Sequence, residues 1–257
     1  LEVYARDRVS VDYMRDNFKV SCSLSADLAF ADLPLQSNRE LGREVLNRYG
    51  LTPDGYFTVV VSAGQRGGKY YCKSETDYLD CFQKMICRLV DTERLANKKI
   101  VLLAHTFGRY GDERAYIEKL YARLSETIQA RTVVITEKIY QTRARFVLQG
   151  GLFTITGRMH AAVSTFQGGK PAISLSYSTK FRGVIGDSLD QQALVIEADQ
   201  DALWRSGEIV DRVCEKVDGL WSDYAGLCDR IRNRVKELQQ QVSATLDRIA
   251  AERPSQK

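Results

Sequence analysis

The chain has 257 residues, a length that allows one large domain or two modest ones. Hydrophobic residues make up 44% and charged residues 27% of the sequence, which is typical of an ordinary globular protein. The net charge of +4 is only mildly basic, and no basic run is interleaved with aromatics, so nucleic-acid binding is not expected. No apolar segment reaches the ~20 residues that a membrane-spanning helix needs.

The first fifty residues predict short elements and a charged cluster. The cluster is Arg6-Asp7-Arg8, which we interpret as a surface loop with Asp7 pairing locally. Asp27 is expected to be a helix cap or a turn residue rather than a catalytic group. The predicted elements are a helix capped by Ser10 and ending at Phe18, a strand at Lys19–Ser23, and a helix at Asn38–Tyr49 that Gly50 ends.

Strands and helices alternate from Tyr56 onward. The run Tyr56–Ser62 is rich in β-branched and aromatic residues and predicts a strand, and further strands are predicted near residues 99, 132, 152, 172 and 193. This alternation predicts a parallel sheet with helices on both faces. The helices expected between the strands are Thr76–Leu95, Glu113–Ile128 (with Asp112 as its N-cap) and Tyr140–Gln149.

Ligands of such sheets bind outside the carboxyl ends of the strands, so the residues that follow each strand are the candidates for a site. The loop Gly64–Lys69 has the glycine spacing of neither a P-loop nor a dinucleotide fingerprint. It is either an anion-binding turn, with Arg66 or Lys69 adding charge, or a flexible connector. The predicted rim carries Gly64–Lys69, His105, Glu137-Lys138, Arg158 with His160, and Tyr177 with Lys180.

The stretch Leu152–Lys180 concentrates these candidates. A buried strand ends at Gly157, and apolar residues then recur at helical spacing, with Arg158 and His160 on opposite borders of the apolar face. The first N–H groups of a helix lack partners and favour anions. An arginine and a histidine at such an end predict a site for a phosphate or a carboxylate.

Several segments of this chain resemble motifs of the polysaccharide pyruvyl transferase family. The family's G-R-x-H, G-x-P-x-I and Y-x-x-K resemble G-R-M-H at 157–160, G-G-K-P-A-I-S at 168–174 and Y-S-T-K at 177–180. Met159 stands where leucine is commoner in the family. Weaker matches lie upstream, at Ala5–Asp7 with Ser10, at Asp27–Phe30 (the family's D-x-A-F), and at Leu102–His105 with Gly111-Asp112.

The resemblance implies a transferase that moves a pyruvyl group from phosphoenolpyruvate onto two hydroxyls of a sugar, forming a cyclic ketal. The sugar would belong to a cell-surface polysaccharide or to its lipid-linked precursor. Arg158 would bind the donor's anionic groups, and His160 would act as general acid or base, or as an imidazolium that binds an anion. No metal, and no cofactor besides the donor substrate, is implied. The remaining substrate-binding candidates are His105, Lys180, Tyr177, Arg6 and Gly157.

The family's architecture is similar to that of glycosyltransferases of type B, in which two Rossmann-like domains face each other. Leu1 begins within the family's sequence, so we expect a piece that lacks most of the N-terminal domain. The resemblance also implies a cytoplasmic enzyme, working at the cytosolic face of the membrane if its acceptor is lipid-linked. We predict an N-terminal segment or linker at 1–50, a Rossmann-like donor-binding domain at 51–200 and a long helical extension at 201–257.

Apolar residues recur at spacings of three and four in the predicted helical extension, Leu203–Ala251, from Ile231 to Ile249. This predicts a terminal helix that lies back over the body or over the missing domain. The alternative is a short coiled coil that makes a homodimer.

Two other functions stay open at this point. One is a glycosyltransferase that uses a nucleotide sugar, with Glu197 and Asp199 as weak candidates for gripping ribose. The other is a non-catalytic sugar-binding or scaffolding module whose C-terminal helix recruits partners.

The cysteines predict no metal site. None forms a C-x-x-C pair, and with only two histidines in the chain, zinc binding is not expected. We predict free thiols in a reducing compartment, with Cys81 and Cys214 in helix packing. The six positions are Cys22, Cys72, Cys81, Cys87, Cys214 and Cys228.

Overall fold

A computed structural model describes residues 2–62, 72–108 and 111–251, and within them six parallel strands form the central sheet. The predicted Gly64–Lys69 loop lies outside the described residues. The sheet strands are β3 (Tyr56–Val60), β4 (Lys99–Leu103), β5 (Thr132–Ile135), β6 (Thr154–Thr156), β7 (Ala172–Ser176) and β8 (Val195–Glu197), in the spatial order β5-β4-β3-β6-β7-β8. A separate parallel pair joins β1 (Tyr4–Ala5) to β2 (Ser23–Leu24).

The strand order reverses between β3 and β6, as in a Rossmann sheet, and such a reversal opens a crevice for ligands at the carboxyl ends of the strands. Successive residues of a strand point to opposite faces, and here both faces are covered. In β3, Phe57 and Val59 belong to the larger core cluster, whereas Tyr56 and Val60 belong to the smaller one. The prediction of helices on both faces of a parallel sheet is therefore confirmed.

The helices alternate with the strands. Helix α7 begins directly after β6 and occupies the position predicted for the helix of the Leu152–Lys180 stretch. The helices are α1 (Arg8–Phe18), α2 (Arg39–Arg48), α3 (Glu75–Val90), α4 (Arg114–Arg123), α5 (Glu126–Gln129), α6 (Gln141–Gly150), α7 (Met159–Gln167), α8 (Thr179–Phe181), α9 (Asp201–Ser206), α10 (Glu208–Leu220) and α11 (Tyr224–Ala251).

Three predictions in the first fifty residues are wrong. Asp7, not Ser10, caps α1, because its Oδ1 accepts the N–H of Ser10 at 2.7 Å, and Asp7 is buried rather than in a surface loop. The strand expected at Lys19–Ser23 is displaced to β2, because Lys19 ends α1 in the left-handed region. The helix predicted at Asn38–Tyr49 is present as α2, and Asn38 caps it by accepting the N–H groups of Glu40 and Leu41.

Two long predicted helices are divided. The helix expected at Glu113–Ile128 breaks at Leu124, and the side-chain amide of Gln129 donates to the carbonyls of Tyr121 and Leu124 at this break. The C-terminal region breaks at Gly207, whose φ of +80° ends α9, and again before α11.

Helix α11 lies back over the body of the protein, as predicted. Ile231, Val235, Leu238 and Val242 are buried in the larger core cluster, and the helix contacts α7. Leu246 and Ile249, at its end, are 46% and 39% exposed. A homodimer through this helix stays a prediction, as do the domain limits at 50 and 200.

The cysteines take part in packing. All six are free thiols. Cys81 and Cys214 are buried on α3 and α10, two helices that pack against each other, so the prediction that these cysteines take part in helix packing is confirmed. The thiol of Cys81 donates to the carbonyl of Trp204 at 3.1 Å.

Candidate active site

A cleft of about 700 Å³ lies at the carboxyl ends of β4, β6 and β7. It contains five of the seven site residues expected from the sequence, contributed by three separate loops. These are His105 after β4, Arg158 and His160 after β6, and Tyr177 and Lys180 after β7.

Two residues that were predicted for the site do not line the cleft. Gly157 is the buried bend between β6 and α7, and it does not line the cleft. Arg6 lines a neighbouring groove of about 660 Å³, which meets the cleft at Asp27, Leu28 and His160. Arg6 therefore reaches the cleft only through Asp27, with which it pairs.

Arg158 is held in place by the local fold. The last residue of β6, Thr156, accepts the backbone N–H of Arg158 on its Oγ1 at 2.8 Å, and this fixes the turn into α7. The guanidinium donates from Nε to Glu113 and from Nη2 to the carbonyl of Gly111 at 3.4 Å. The side chain is 19% exposed, so one edge of the guanidinium faces the protein and the remainder is open to the cleft.

Glu113 is the buried partner of Arg158. Its carboxyl is fully buried, and its Oε2 accepts the N–H groups of His105 at 2.9 Å and Thr106 at 3.0 Å. Burial raises the pKa of Glu113 above its ordinary value, although Arg158 and the two N–H groups act against this shift. The sequence pattern places Glu113 only at the start of a helix. The signal that could have found it is an acid directly after the Gly111-Asp112 motif.

Asp112 has a local role close to the predicted one. Its Oδ1 accepts the backbone N–H of Arg114 at 3.0 Å, although Glu113 occupies the cap position itself. Side-chain bonds from Arg114 hold the pKa of Asp112 well below its usual range. Asp112 does not line the cleft.

His160 faces a carboxylate across the mouth of the cleft. Its Nε2 lies 3.7 Å from Oδ1 of Asp27, and its side chain is 55% exposed. Asp27 caps the 3-10 turn Leu28–Phe30 through the N–H of Ala29 at 2.9 Å, which confirms the predicted capping role. Burial opposes ionisation of Asp27, but His160, the Ala29 N–H and Arg6 outweigh it and lower the pKa of this carboxyl.

His105 is a neutral imidazole at neutral pH. Burial, followed by the charges of Arg158 and His160, lowers the pKa of His105 to about 4. This side chain therefore offers the cleft one hydrogen-bond donor and one acceptor, and no positive charge.

Lys180 extends over aromatic rings at the edge of the cleft. Its Nζ donates to the hydroxyl of Tyr177 at 3.1 Å and lies 4.8 Å from the centre of the Tyr177 ring and 5.7 Å from that of Phe181. Contacts of this kind fix a flexible side chain while leaving its ammonium charge available.

Arg145 is a cleft residue that the sequence analysis missed. It lies on α6, is 5% exposed, and donates to the carbonyls of Ala29 and Ala31 at 3.0 Å each. These bonds hold the turn that carries Asp27 against α6. Its sequence neighbourhood is that of an ordinary amphipathic helix, so no motif marked it.

Other rim candidates lie elsewhere. Glu137 pairs with Arg48 and accepts the hydroxyl of Tyr49 on an exposed surface, and Lys138 does not line the cleft. Glu197 and Asp199, the ribose candidates, are not cleft residues either. Within residues 2–62, 72–108 and 111–251, no cluster of three or more His, Cys, Asp or Glu is arranged to hold a metal ion. The same ranges contain no helix that is both long and apolar enough to span a membrane.

The sheet and its cleft define a Rossmann-like half of the glycosyltransferase type B architecture. Similar solved structures include the UDP-GlcNAc 2-epimerase of Neisseria meningitidis bound to UDP-GlcNAc, with 9% identity over 97% of this chain and 61% of that one, at a TM-score of 0.63. A putative UDP-N-acetylglucosamine 2-epimerase of Listeria monocytogenes is 10% identical over 98% of this chain and 60% of that one, with a TM-score of 0.58. An alpha,alpha-trehalose-phosphate synthase (UDP-forming) of Burkholderia vietnamiensis is 9% identical over 97% of this chain and 58% of that one, with a TM-score of 0.57.

The family is decided by the sequence itself. The family model for polysaccharide pyruvyl transferase matches residues 1–179, and the chain belongs to this family of transferases. No protein with a curated description matches the chain significantly. The chain spans about 60% of the length of the solved structures it resembles.

Proposed function

We propose that this chain carries the donor site of a pyruvyl transferase that uses phosphoenolpyruvate to form a cyclic ketal on a sugar. The supporting observation is the cleft at the strand ends, which is lined by Arg158, Lys180 and two histidines. Arg158 lies at the start of α7. A donor with a phosphate and a carboxylate needs two separated cationic groups, and this arrangement supplies them. The acceptor would be a cell-surface polysaccharide or its lipid-linked precursor, and in the latter case the enzyme would work at the cytosolic face of the membrane.

The reaction has a defined proton balance. Two hydroxyl oxygens of the sugar form bonds to C2 of the donor, and phosphate leaves with the electron pair of its bond to C2. One hydroxyl proton ends on C3, which becomes a methyl group, and the other ends on the phosphate. The protein must therefore hold two anionic groups and move two protons near neutral pH.

The cleft residues suit these tasks unequally. Arg158 would bind a donor anion with the part of its guanidinium that Glu113 and Gly111 leave open, and Lys180 would act as a point charge on the other anionic group. His105, being neutral, would donate one hydrogen bond to the donor. His160, at the mouth of the cleft, would exchange protons with the acceptor.

Calorimetric titration of phosphoenolpyruvate tests the proposal. We expect saturable binding to this chain and a loss of about tenfold in affinity for Lys180→Met, because one charge-assisted contact contributes roughly 1.4 kcal/mol. The matched control is Lys170→Met. Lys170 also lies over a tyrosine ring, 5.7 Å from the centre of Tyr224, but it is outside the cleft. Equal weakening by both variants, or no binding at all, would contradict a donor site in the cleft.

A nucleotide sugar is the second candidate donor, because the epimerase neighbour was solved with UDP-GlcNAc bound. The same titration with UDP-GlcNAc separates the two proposals. Binding of UDP-GlcNAc without binding of phosphoenolpyruvate would replace pyruvyl transfer by chemistry on a nucleotide sugar. Binding of neither would favour a non-catalytic sugar-binding or scaffolding role for this chain.

A further inference from the structure

Both carboxylate oxygens of Asp27 accept a hydrogen bond from the protein, in addition to the contact that Asp27 makes with His160. Oδ1 accepts the N–H of Ala29 at 2.9 Å, and Oδ2 accepts Nη1 of Arg6 at 3.1 Å. The side chain of Asp27 is 7% exposed, so its rotamer is set by the protein rather than by solvent. Oδ1 is also the oxygen that lies 3.7 Å from Nε2 of His160.

The charges around His160 favour a contact through Nε2. Asp27 is the carboxylate at ion-pair distance, Arg6 lies behind it, and Arg158 and neutral His105 stand on the inner side of the cleft. His160, the Ala29 N–H and Arg6 lower the pKa of Asp27 below its ordinary value, and this favours the carboxylate form. An imidazole beside a fixed carboxylate directs an N–H toward it, and this contact sets the tautomer.

His160 also stands where two cavities meet. The cationic cleft and the neighbouring groove, which is largely apolar, share Asp27, Leu28 and His160. A proton carrier at this junction can reach a donor bound in the cleft and an acceptor hydroxyl that enters from the groove.

We propose that Asp27 is a positioning residue that holds the Nε2–H of His160 and thereby leaves Nδ1 to accept the proton of the sugar hydroxyl. This deepens the proposed function and rests on it. In the step, the hydroxyl O–H bond breaks, its electron pair forms the bond to C2 of the protonated donor, and the proton passes to Nδ1. The imidazolium that results is stabilised by the Asp27 carboxylate until the proton leaves with the phosphate.

The test is nitrogen-15 NMR of the histidine rings on this chain without substrates. The sequence contains two histidines, so one variant, His105→Gln, assigns both sets of signals. We expect the neutral form of His160 to be protonated on Nε2. In Asp27→Asn this preference weakens, and the Nδ1–H tautomer gains population.

Asp223→Asn is the matched control. Asp223 also accepts a backbone N–H at the start of a helix, from Gly226, and also pairs with an arginine, Arg230, but it does not line the cleft. We expect this variant to leave the His160 signals in place. A His160 tautomer population that is the same in Asp27→Asn and in the native chain would overturn the proposal.

A second variant loosens Asp27 without removing it. Arg6→Gln takes away the donor to Oδ2 of Asp27 from a side chain that is 40% exposed, so Asp27 is held less firmly and the Nδ1–H tautomer of His160 should gain population. This variant decides the question if Asp27→Asn does not fold, and an unchanged tautomer population in Arg6→Gln would then count against the proposal. Because neither measurement needs a donor, failure of phosphoenolpyruvate to bind would contradict the proposed function alone.

Discussion

Glu113 and Arg158 form an ion pair that joins the loop after β4 to the loop after β6. In the sheet, β3 lies between these two strands, so the pair spans the carboxyl end of β3 at the point where the strand order reverses. Glu113 also accepts the two backbone N–H groups that directly follow β4. One buried carboxylate thus fixes both the backbone of His105 and the guanidinium of Arg158, and it shapes the floor of the cleft.

Replacing Glu113 should be costly. We expect Glu113→Ala to lower the free energy of unfolding by about 3 kcal/mol, because it leaves a largely buried guanidinium and two N–H groups without their acceptor. Urea denaturation measures the change. The control is Asp112→Asn, which removes a neighbouring carboxylate from an exposed pair with Arg114 and should change stability little. A similar, small effect of both variants would show that the Glu113 pair does not hold the cleft.

The neutral state of His105 predicts a pH dependence of stability. The unfolded chain protonates this histidine near its ordinary pKa of 6.5, whereas the folded chain keeps it neutral down to about 4. Acid therefore favours the unfolded state. His105 makes its full contribution to the free energy of unfolding above pH 6.5, the pKa in the unfolded chain, and this contribution is lost as the pH falls from 6.5 to 4. The free energy of unfolding should fall less steeply over this range in His105→Gln than in the native chain. Parallel curves would contradict a depressed pKa for His105.

Two glycines near the C-terminus should respond with opposite signs. Gly207, between α9 and α10, has a φ of +80°, so Gly207→Ala should destabilise the protein by about 1 kcal/mol through backbone strain. Gly219 lies in α10 with open space around it, so Gly219→Ala should stabilise the protein by roughly 0.5–1 kcal/mol. Thermal unfolding of the two variants is the measurement, and a shift in the same direction for both would contradict this assignment.

Two leucines of α11 should differ in how much they stabilise the protein. Leu238 is 2% exposed in the larger core, so Leu238→Ala should lower the free energy of unfolding by about 2–4 kcal/mol. Leu246 is 46% exposed, and Leu246→Ala should have a much smaller effect if the helix packs only on its own body. A large, concentration-dependent loss in Leu246→Ala would instead support the predicted homodimer.

The sequence predicted the sheet and most of the cleft residues for a physical reason. Strands buried on both faces need side chains that can be buried at successive positions. Tyr56–Val60 is a run of β-branched and aromatic residues, and Ala172–Leu175 is a short apolar run, so both can be recognised without any tertiary information. Reactive side chains placed directly after such runs, as Arg158 and His160 are, must lie at the carboxyl edge of a parallel sheet. The family motifs then selected the same positions.

Capping and helix ends were predicted less well, because they depend on single contacts. The N-cap of α1 was expected at Ser10, and only the structure showed that Asp7 accepts the Ser10 N–H and caps the helix. The break at Leu124 likewise depends on the side chain of Gln129 reaching back to two carbonyls.

The sequence by itself determined which residues form strands and which side chains stand at their ends, because both follow from local periodicity and burial. Only the tertiary structure decided the partners: Glu113 for Arg158, and Asp27, itself held by Arg6, for His160. The Glu113–Arg158 pair forms because β3 lies between β4 and β6 and the loops after these two strands meet at one cleft. Asp27 reaches His160 because the 3-10 turn that it caps packs against α7. No local pattern records a contact that strand order or packing creates, and so the pairing of the site's charges was visible only in the fold.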